Sequence, residues 1–179
     1  SVTLSSRDFR LVREGPSDRR KWLDLLLSSS SQEYLDSLQS YHRALRERNA
    51  LLKKGGGVVE FAAFEQALAR SAVSLQKLRS SALPELAKEL ASRYRSLSDD
   101  LEQASLEYLP NLSELTLEEL ITQYALDRER DQLLGSTRHG PHKDDFKFLL
   151  DQRDARSYAS EGQQRGLVLA LRLAEFSYL

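Results

Sequence analysis

A run of three glycines at residues 55–57 separates two long apolar seams, and this arrangement constrains the fold more than any other feature of the chain. The seam before the glycines uses alternating spacings of four and three, with Arg48 at a skipped position: Tyr34, Leu38, Tyr41, Leu45 and Leu52. The seam after them comprises Phe61, Phe64, Leu68, Leu75, Leu78 and Ala82. Seams of this kind are typical of packed helices, and glycine ends helices and permits sharp turns. The pattern therefore predicts an antiparallel helical hairpin.

The segments before this hairpin predict a strand, a turn and a helix. Residues 1–15 alternate roughly between apolar and polar types, as a strand does, and they end in a Gly-Pro turn. Pro16 suits the first turn of a helix. The serines at residues 28–31 should end that helix, and the next one should begin near Gln32.

The remaining segments complete a mainly α fold with a small β element. Pro84 must kink the second hairpin helix or start a new one, because it has no amide hydrogen. Residues 104–112 favour a short strand, and Thr116 is the expected cap of a further helix. Residues 146–160 predict a β-hairpin with its tip at 151–154, and residues 163–179 predict a mostly buried helix. An apolar stripe should continue beyond the hairpin along Leu86, Leu90, Tyr94, Leu97 and Leu101.

Composition limits the classes of function. With 179 residues, the chain is long enough for one domain or for one lobe of a larger protein. Its net charge is −1, so any contact with nucleic acid must rest on a local basic patch. The first twenty residues are polar, no stretch is apolar enough to span a bilayer, and cysteine is absent; we therefore expect a cytoplasmic protein with no membrane partner. Methionine is also absent, from which we expect a fragment.

The strongest candidate site is the segment Ser160-Glu161-Gly162-Gln163-Gln164-Arg165, where the last helix begins. The start of a helix leaves amide hydrogens unpaired and carries partial positive charge, so it attracts anions. Glycine lets a ligand approach the backbone closely. The serine hydroxyl and the two glutamine amides can bind oxygens without adding charge. The alternative is that Ser160 is only a helix cap and Gly162 only a turn residue.

The S-x-G-Q-Q segment resembles the signature motif of ABC-type ATPases. Four segments narrow the resemblance to the RecF family of recombination-mediator ATPases, in which they have the same order: "EGPSDRRKWLDLLLS", "YHRALRERNALLK", "HGPHKDDFKFLL" and "YASEGQQRGLVLALRLAE". The resemblance runs over about residues 2–179, and the middle of the helical arm matches only in pattern.

The resemblance implies a head ATPase that dimerises around ATP and Mg²⁺. It further implies DNA binding at gaps or at junctions of single and double strands, and loading of RecA with RecR and RecO, in replication, recombination, repair and the SOS response. In such heads the signature serine and glycine of one subunit contact the γ-phosphate of ATP held by the other. Residue by residue, this role falls on Ser160, Gly162 and Gln163, with Gln164 and Arg165 alongside.

Two motifs of such an ATPase are missing from the sequence. The P-loop, G-x-x-x-x-G-K-[ST], does not occur, and no apolar strand ending in Asp-Asp follows the signature helix to hold magnesium. The resemblance therefore implies the second lobe of the head, with a lead-in strand and turn at 1–22, a helical arm at 23–108, and a helix, β-hairpin and signature helix at 109–179. We expect the parent protein to be a DNA-dependent ATPase. This chain alone should bind no cofactor and be inactive, so whether it counts as an enzyme stays open.

Two basic clusters are candidates for contact with DNA. Clusters of this kind are most often solvated faces paired with acids, but the resemblance favours contacts with the DNA backbone, which needs local positive charge. One cluster precedes the hairpin: Arg7, Arg10, Arg13, Arg19, Arg20 and Lys21. The other lies in the first hairpin helix, and we assign DNA contacts to it: Arg43, Arg46, Lys53 and Lys54.

Residues His139, His142, Asp144 and Asp145 have a spacing that could suggest a metal site. Two histidines in a loop are poor evidence for one without a third ligand on a rigid element. We therefore expect no metal here.

Two other classes of function remain as alternatives. The first is a non-enzymatic helical interaction module in which Ser160 is only a cap. The second is the head of another SMC-like ATPase, which the short arm disfavours. Whether Gly162 lies at an exposed helix start or is buried should separate the signature interpretation from the interaction module.

Overall fold

In the computed structural model, residues 9–98, 101–112 and 115–179 are described. The helices are α1 (Arg10–Arg13), α2 (Pro16–Ser30), α3 (Gln32–Lys54), α4 (Val58–Leu97), α5 (Leu117–Leu134), α6 (Ala155–Tyr158) and α7 (Glu161–Tyr178), and a 3-10 turn spans Pro141–Lys143. The strands are β1 (Ala104–Leu109), β2 (Asp145–Leu150) and β3 (Arg153–Asp154). The mainly α fold with a small β element is thus confirmed. No helix within the described residues is long and apolar enough to cross a membrane.

The chain forms two compact units, which we name the sheet unit and the hairpin unit. The sheet unit consists of Ser1–Ser30, Arg79–Leu109 and Asp145–Leu179. The hairpin unit consists of Ser31–Leu78 and Pro110–Asp144. These units are defined by compactness. The boundaries after residues 22 and 108 are predicted from the family resemblance, and they stay a prediction.

The hairpin unit contains the predicted antiparallel helix pair. Ser37 and Ser74 are joined by a hydrogen bond of 2.9 Å, and further along, Arg48 contacts Glu65 at 3.2 Å. From Ser37 to Arg48 the residue number in α3 rises, whereas from Ser74 to Glu65 the number of the contacted residue in α4 falls. The two helices therefore run in opposite directions. The seam residues are buried except Leu38, Phe64 and Leu78, which are half-buried.

Helices α3 and α5 begin where the sequence predicts. The Ser31 side chain accepts a hydrogen bond from the amide of Tyr34 at 3.2 Å, which starts α3. Thr116 and Glu119 form a reciprocal capping box at the start of α5. Each device satisfies amide hydrogens that a helix start leaves unpaired, and each depends only on residues three positions apart.

Buried charges fill the centre of the hairpin unit, which the apolar seams do not predict. Arg48 is fully buried at the skipped seam position. It donates to Asp131 at 2.7 Å, to the Thr137 hydroxyl at 2.8 Å and to the Tyr124 carbonyl at 2.9 Å. The guanidinium therefore ties α3 to α5 and to the loop after α5.

A three-stranded antiparallel sheet, ordered β1-β2-β3, organises the sheet unit. Ala104 pairs with Leu150 at one end of the β1–β2 ladder, and Leu109 pairs with Asp145 at the other. Alternate residues of β2 are buried, including Phe146 and Phe148, whose rings contact Trp22 of α2 at centroid distances of 5.5 and 6.3 Å. The predicted short strand and the helix from Pro16 are confirmed.

The predicted strand over residues 1–15 is wrong where it can be compared. Residues 1–8 lie outside the described part of the chain, and Arg10–Arg13 form the helical turn α1. Leu11 and Val12 are both buried. Adjacent strand residues point to opposite faces, so this pair is better accommodated by a helical turn against one core.

Two predictions concern the second half of α4. The helix continues through Pro84 to Leu97, so Pro84 starts no new helix, and the kink that is the other possibility stays a prediction. The apolar stripe is buried as far as Tyr94, but Leu97 and Leu101 are 44% and 83% exposed. Helix α4 ends at Leu97, so Leu101 lies beyond the helix and cannot extend its buried face.

The β-hairpin and the last helix also differ from their predictions. The hairpin tip is Asp151 and Gln152, with φ values of 46° and 65°. The second strand of this hairpin, β3, has only two residues. It ends there because the Asp154 side chain accepts a hydrogen bond from the amide of Arg156 and so starts α6. Helix α7 buries one stripe rather than most of its surface, and Phe176 is 83% exposed.

Candidate nucleotide-facing site at the start of α7

Helix α7 begins in a reciprocal capping box formed by Ser160 and Gln163. The Ser160 hydroxyl oxygen accepts from the amide of Gln163 at 3.2 Å, and the Gln163 side-chain oxygen accepts from the amide of Ser160 at 2.6 Å. This pairing satisfies two amide hydrogens of the helix start and fixes the entry of the chain.

The predicted site residue Gln163 directs its remaining polar atoms into the sheet unit. Its side-chain nitrogen donates to Oε1 of Glu102. Glu102 also accepts, through Oε2, a hydrogen bond of 2.7 Å from the Tyr94 hydroxyl. Glu102 carries no sequence signal of its own, and Tyr94 stands out in the sequence only as a member of the apolar stripe.

Gln164 is buried and links the helix start to α1. Its side-chain oxygen accepts from Nε of Arg13 at 2.6 Å, and its nitrogen donates to the carbonyl of Ala159 at 3.1 Å. Both glutamine side chains are therefore engaged within the chain. Their contact with nucleotide stays a prediction.

The remaining groups of the motif face solvent. Ser160, Glu161 and Gly162 are all exposed. Within the described residues, the Ser160 hydroxyl donates no hydrogen bond and the amides of Glu161 and Gly162 have no acceptor. One hydroxyl and two amide hydrogens are thus available at the positive end of α7, where an anion would bind. Nearby, Arg165 pairs with the Glu161 carboxylate at 2.7 Å.

Gly162 lies at an exposed helix start, not in the core. Its φ is not in the left-handed region. Among the described residues, a Cβ added to it would come within 4 Å of the Ser160 hydroxyl oxygen alone, at 3.9 Å. Gly166, one turn later, differs: a Cβ there would lie 3.2 Å from the ring of Tyr94. Packing thus explains glycine at 166, whereas contacts with the described residues do not explain glycine at 162.

The predicted DNA-contacting cations are exposed on α3 of the hairpin unit: Arg43, Arg46, Lys53 and Lys54. Arg43 and Arg46 line an open groove of about 450 Å³, together with Leu38, Gln39 and His42. Contact with DNA stays a prediction.

The first basic cluster does not form one surface. Arg7 lies outside the described residues. Arg19 is buried and forms a bidentate salt bridge with Asp145, with distances of 2.8 and 2.9 Å. Arg10 and Lys21 line a cavity of about 480 Å³ in the sheet unit. Arg13 is bound to Gln164.

The histidines considered as metal ligands make hydrogen bonds within the hairpin unit. Nδ1 of His139 lies 2.7 Å from a carboxylate oxygen of Asp127. Nε2 of His142 donates to the Thr137 carbonyl at 3.0 Å, since a carbonyl oxygen can only accept. In the neutral ring, Nδ1 of His142 then accepts from the Tyr41 hydroxyl, and the two atoms are 2.6 Å apart.

The neighbouring aspartates are likewise engaged. Asp144 is buried and accepts from the amide of Asn111 at 2.8 Å, while Asp145 belongs to the sheet unit and pairs with Arg19. No group of three or more histidine or acidic side chains in the described part of the chain could hold a metal ion.

Comparison with curated proteins gives relatives along the whole chain, although no protein-family model matches it. The DNA replication and repair protein RecF of Azobacteroides pseudotrichonymphae is 35% identical over 182 residues, which cover 100% of this chain and 49% of that protein. RecF of Microcystis aeruginosa is 37% identical, and the match covers 100% of this chain and 52% of that protein. RecF of Moorella thermoacetica is 39% identical, and the match covers 96% of this chain and 46% of that protein. The chain belongs to the RecF family.

Solved RecF structures have the same fold. The structures of the recombination mediator protein RecF-ATP and RecF-ATPrS in the RecFOR pathway each superpose with a TM-score of 0.88, at 32% and 31% identity. Each match covers 97% of this chain and 49% of the RecF chain. The chain thus spans about half the length of the RecF proteins that it matches. The predicted family and the ABC-type fold class are confirmed.

Proposed function

We propose that this chain is the second lobe of a RecF-like recombination mediator, and that the start of α7 supplies the signature contacts to ATP held by another subunit. The family membership and the existence of a RecF-ATP structure support a nucleotide function for the whole protein. In this proposal ATP and Mg²⁺ are held by the other lobe of the partner subunit. The Ser160 hydroxyl and the amides of Glu161 and Gly162 bind the γ-phosphate.

The observation that carries this proposal is the glycine at position 162. Glycine costs a helix up to about 1 kcal/mol relative to alanine. No described residue requires it here, because a Cβ would make only an ordinary contact with the Ser160 hydroxyl oxygen, at 3.9 Å. An external ligand that approaches the backbone closely would require it. A cap-only role for the motif explains Ser160 but leaves Gly162 unexplained.

The experiment uses the full-length protein that contains this chain, with Gly162→Ala as the main variant. Alanine should leave the melting temperature unchanged or raise it, because it favours the helix. It should nevertheless weaken ATP-dependent dimerisation, measured by sedimentation velocity. The reason is that the alanine methyl group would keep the γ-phosphate away from the backbone amides. ATP affinity of the monomer should not change, since that site belongs to the other lobe.

Two serine variants complete the test. Ser160→Arg places a bulky cation where a small donor must fit and should abolish ATP-dependent dimerisation. Ser160→Ala removes the cap as well as the hydroxyl and should cost about 1 kcal/mol of stability. If Gly162→Ala and Ser160→Arg both dimerise with ATP as the parent does, the motif is only a cap and the interaction-module alternative is correct.

We further propose that the hairpin unit contacts DNA phosphates through Arg43, Arg46, Lys53 and Lys54. Their exposure on one helix supports this role, since phosphate contacts need accessible local charge in a chain with a net charge of −1. Binding at gaps or strand junctions, RecA loading and partnership with RecR and RecO are proposed for the whole protein, with support from the RecFOR pathway of the solved RecF structures.

A further inference from the structure

We infer that Glu102, together with Tyr94, is a positioning residue for the start of α7, because it determines which way the Gln163 amide points. This inference rests on the proposed trans contact with ATP. The four residues form one hydrogen-bonded series inside the sheet unit, from the Tyr94 hydroxyl through Glu102 and Gln163 to the backbone of Ser160.

The chemistry of the series permits only one orientation of the Gln163 amide. An ionised carboxylate can accept hydrogen bonds but not donate them. The atom of Gln163 that faces Glu102 must therefore be the nitrogen, and the oxygen then faces the amide of Ser160. A flipped amide would oppose two oxygens at Glu102 and two donors at Ser160, and both hydrogen bonds would be lost.

Tyr94 holds the second oxygen of the same carboxylate. Its side chain is 2% exposed and its hydroxyl donates to Glu102 at 2.7 Å. Burial, and then the hydrogen bond and negative charge of Glu102, raise the pKa of Tyr94, so the hydroxyl remains a donor. The ring also packs against Gly166 of α7, where a Cβ would lie only 3.2 Å away. Tyr94 is thus fixed against the helix that it helps to orient.

The consequence for the site is a defined set of free donors. With Gln163 oriented by Glu102, the Ser160 amide is satisfied internally and the Ser160 hydroxyl oxygen is held by the Gln163 amide hydrogen. The donors left for an anion are the Ser160 hydroxyl hydrogen and the next two amides. A glutamine at 102 would offer both a donor and an acceptor, so position 102 would no longer oppose the flipped Gln163 amide. Only the Ser160 amide would then select the orientation, and the helix start would be looser.

The test uses the full-length protein with Glu102→Gln and Tyr94→Phe, each of nearly unchanged shape. Matched controls are Glu107→Gln, an exposed carboxylate on β1, and Tyr158→Phe, an exposed tyrosine on α6. Two quantities are measured: hydrogen exchange of the Ser160 amide, and the dimer dissociation constant with ATP. We expect Glu102→Gln to speed the exchange and to weaken ATP-dependent dimerisation about fivefold to tenfold, equivalent to the loss of one oriented hydrogen bond. Tyr94→Phe should act in the same direction but less, and the controls should match the parent.

A parallel Ser160→Arg variant separates this inference from the proposed function. If Ser160→Arg abolishes ATP-dependent dimerisation while Glu102→Gln and Tyr94→Phe leave exchange and dimerisation as in the parent, the positioning role is overturned and the trans contact stands. Faster exchange with unchanged dimerisation would also overturn it, since the orientation would then not matter to the site. If Ser160→Arg dimerises normally, the proposed function fails and the inference fails with it.

Discussion

The guanidinium of Arg48 lies 2.7 Å from a carboxylate oxygen of Asp131, and the two side chains are 0% and 1% exposed. Glu65 adds a second buried carboxylate at 3.2 Å from Arg48, and Arg128 and Arg138 contact the outer oxygens of the two acids at 2.6 and 3.0 Å. Each buried charge thus has an opposite charge beside it. Such a group is stable as a set, but removing one member leaves an uncompensated charge in the core.

Asp131→Ala should therefore lower the free energy of unfolding by about 3–5 kcal/mol, measured by urea denaturation. The matched control is Glu89→Ala, which removes a carboxylate from a half-exposed pair with Arg93 on α4. Surface pairs of this kind contribute less than about 1 kcal/mol. Similar losses for the two variants would contradict a central role for the buried pair.

Gly140→Ala should also destabilise the hairpin unit strongly. The φ of Gly140 is 132°, and a Cβ would lie 2.5 Å from the hydroxyl oxygen of Tyr41 and 3.0 Å from that of Tyr124. Backbone strain and overpacking should together cost about 2–5 kcal/mol of unfolding free energy. Gly15→Ala is the control, because a Cβ there meets no atom of the described residues within 4 Å and the backbone is not left-handed. Equal melting temperatures for the two alanine variants would refute this expectation.

Asp127 should make the stability of the chain depend on acid pH. Burial by itself raises the pKa of Asp127, but hydrogen bonds from Gln123 and His139 and the charges of His139 and Arg138 outweigh it, so the pKa is lowered. A lowered folded-state pKa adds stability above the unfolded-state pKa of about 4, and this stability is lost as the pH falls through the folded-state value. Melting temperatures of the parent and Asp127→Asn should differ most near neutral pH and converge toward pH 3. A constant difference over that range would rule out the linkage.

Replacing Arg43 and Arg46 with glutamine should weaken DNA binding by the full-length protein for all sequences alike. Each lost phosphate contact should reduce the slope of log affinity against log salt by roughly one unit. The control is the double variant Arg70→Gln/Lys77→Gln, which removes the same charge from exposed positions on α4 of the same unit. An equal slope change in both double variants would indicate a general charge effect instead of a contact.

This chain alone should show no ATP turnover. The P-loop and the Asp-Asp strand that would hold ATP and Mg²⁺ do not occur in its sequence. A steady-state phosphate-release assay on highly purified chain, beside a mock preparation, measures this. Turnover above the mock level that persists through a further purification step would disprove the second-lobe assignment.

Local features of the structure can be predicted from the amino-acid sequence. The glycines at 55–57 and the seams on either side specify the helical hairpin, and Ser31, Thr116 and Ser160 each mark a helix start. These predictions succeed because a cap or a helical face depends on residues three or four positions apart. The family is also evident from the sequence, since its motifs are short and continuous.

The burial of polar residues and the direction of their side chains depend on the packing of the folded chain and could not be predicted from the sequence. Helix α5 buries Asp127 and Asp131 but exposes Leu126 and Leu133 by 74% and 87%, the reverse of what hydrophobicity predicts. Arg48 reaches Asp131 across 83 positions of sequence, and Gln163 reaches Glu102 across 61. A charged or amide group enters a core only when a complementary group meets it there, and that meeting depends on the packing of distant segments.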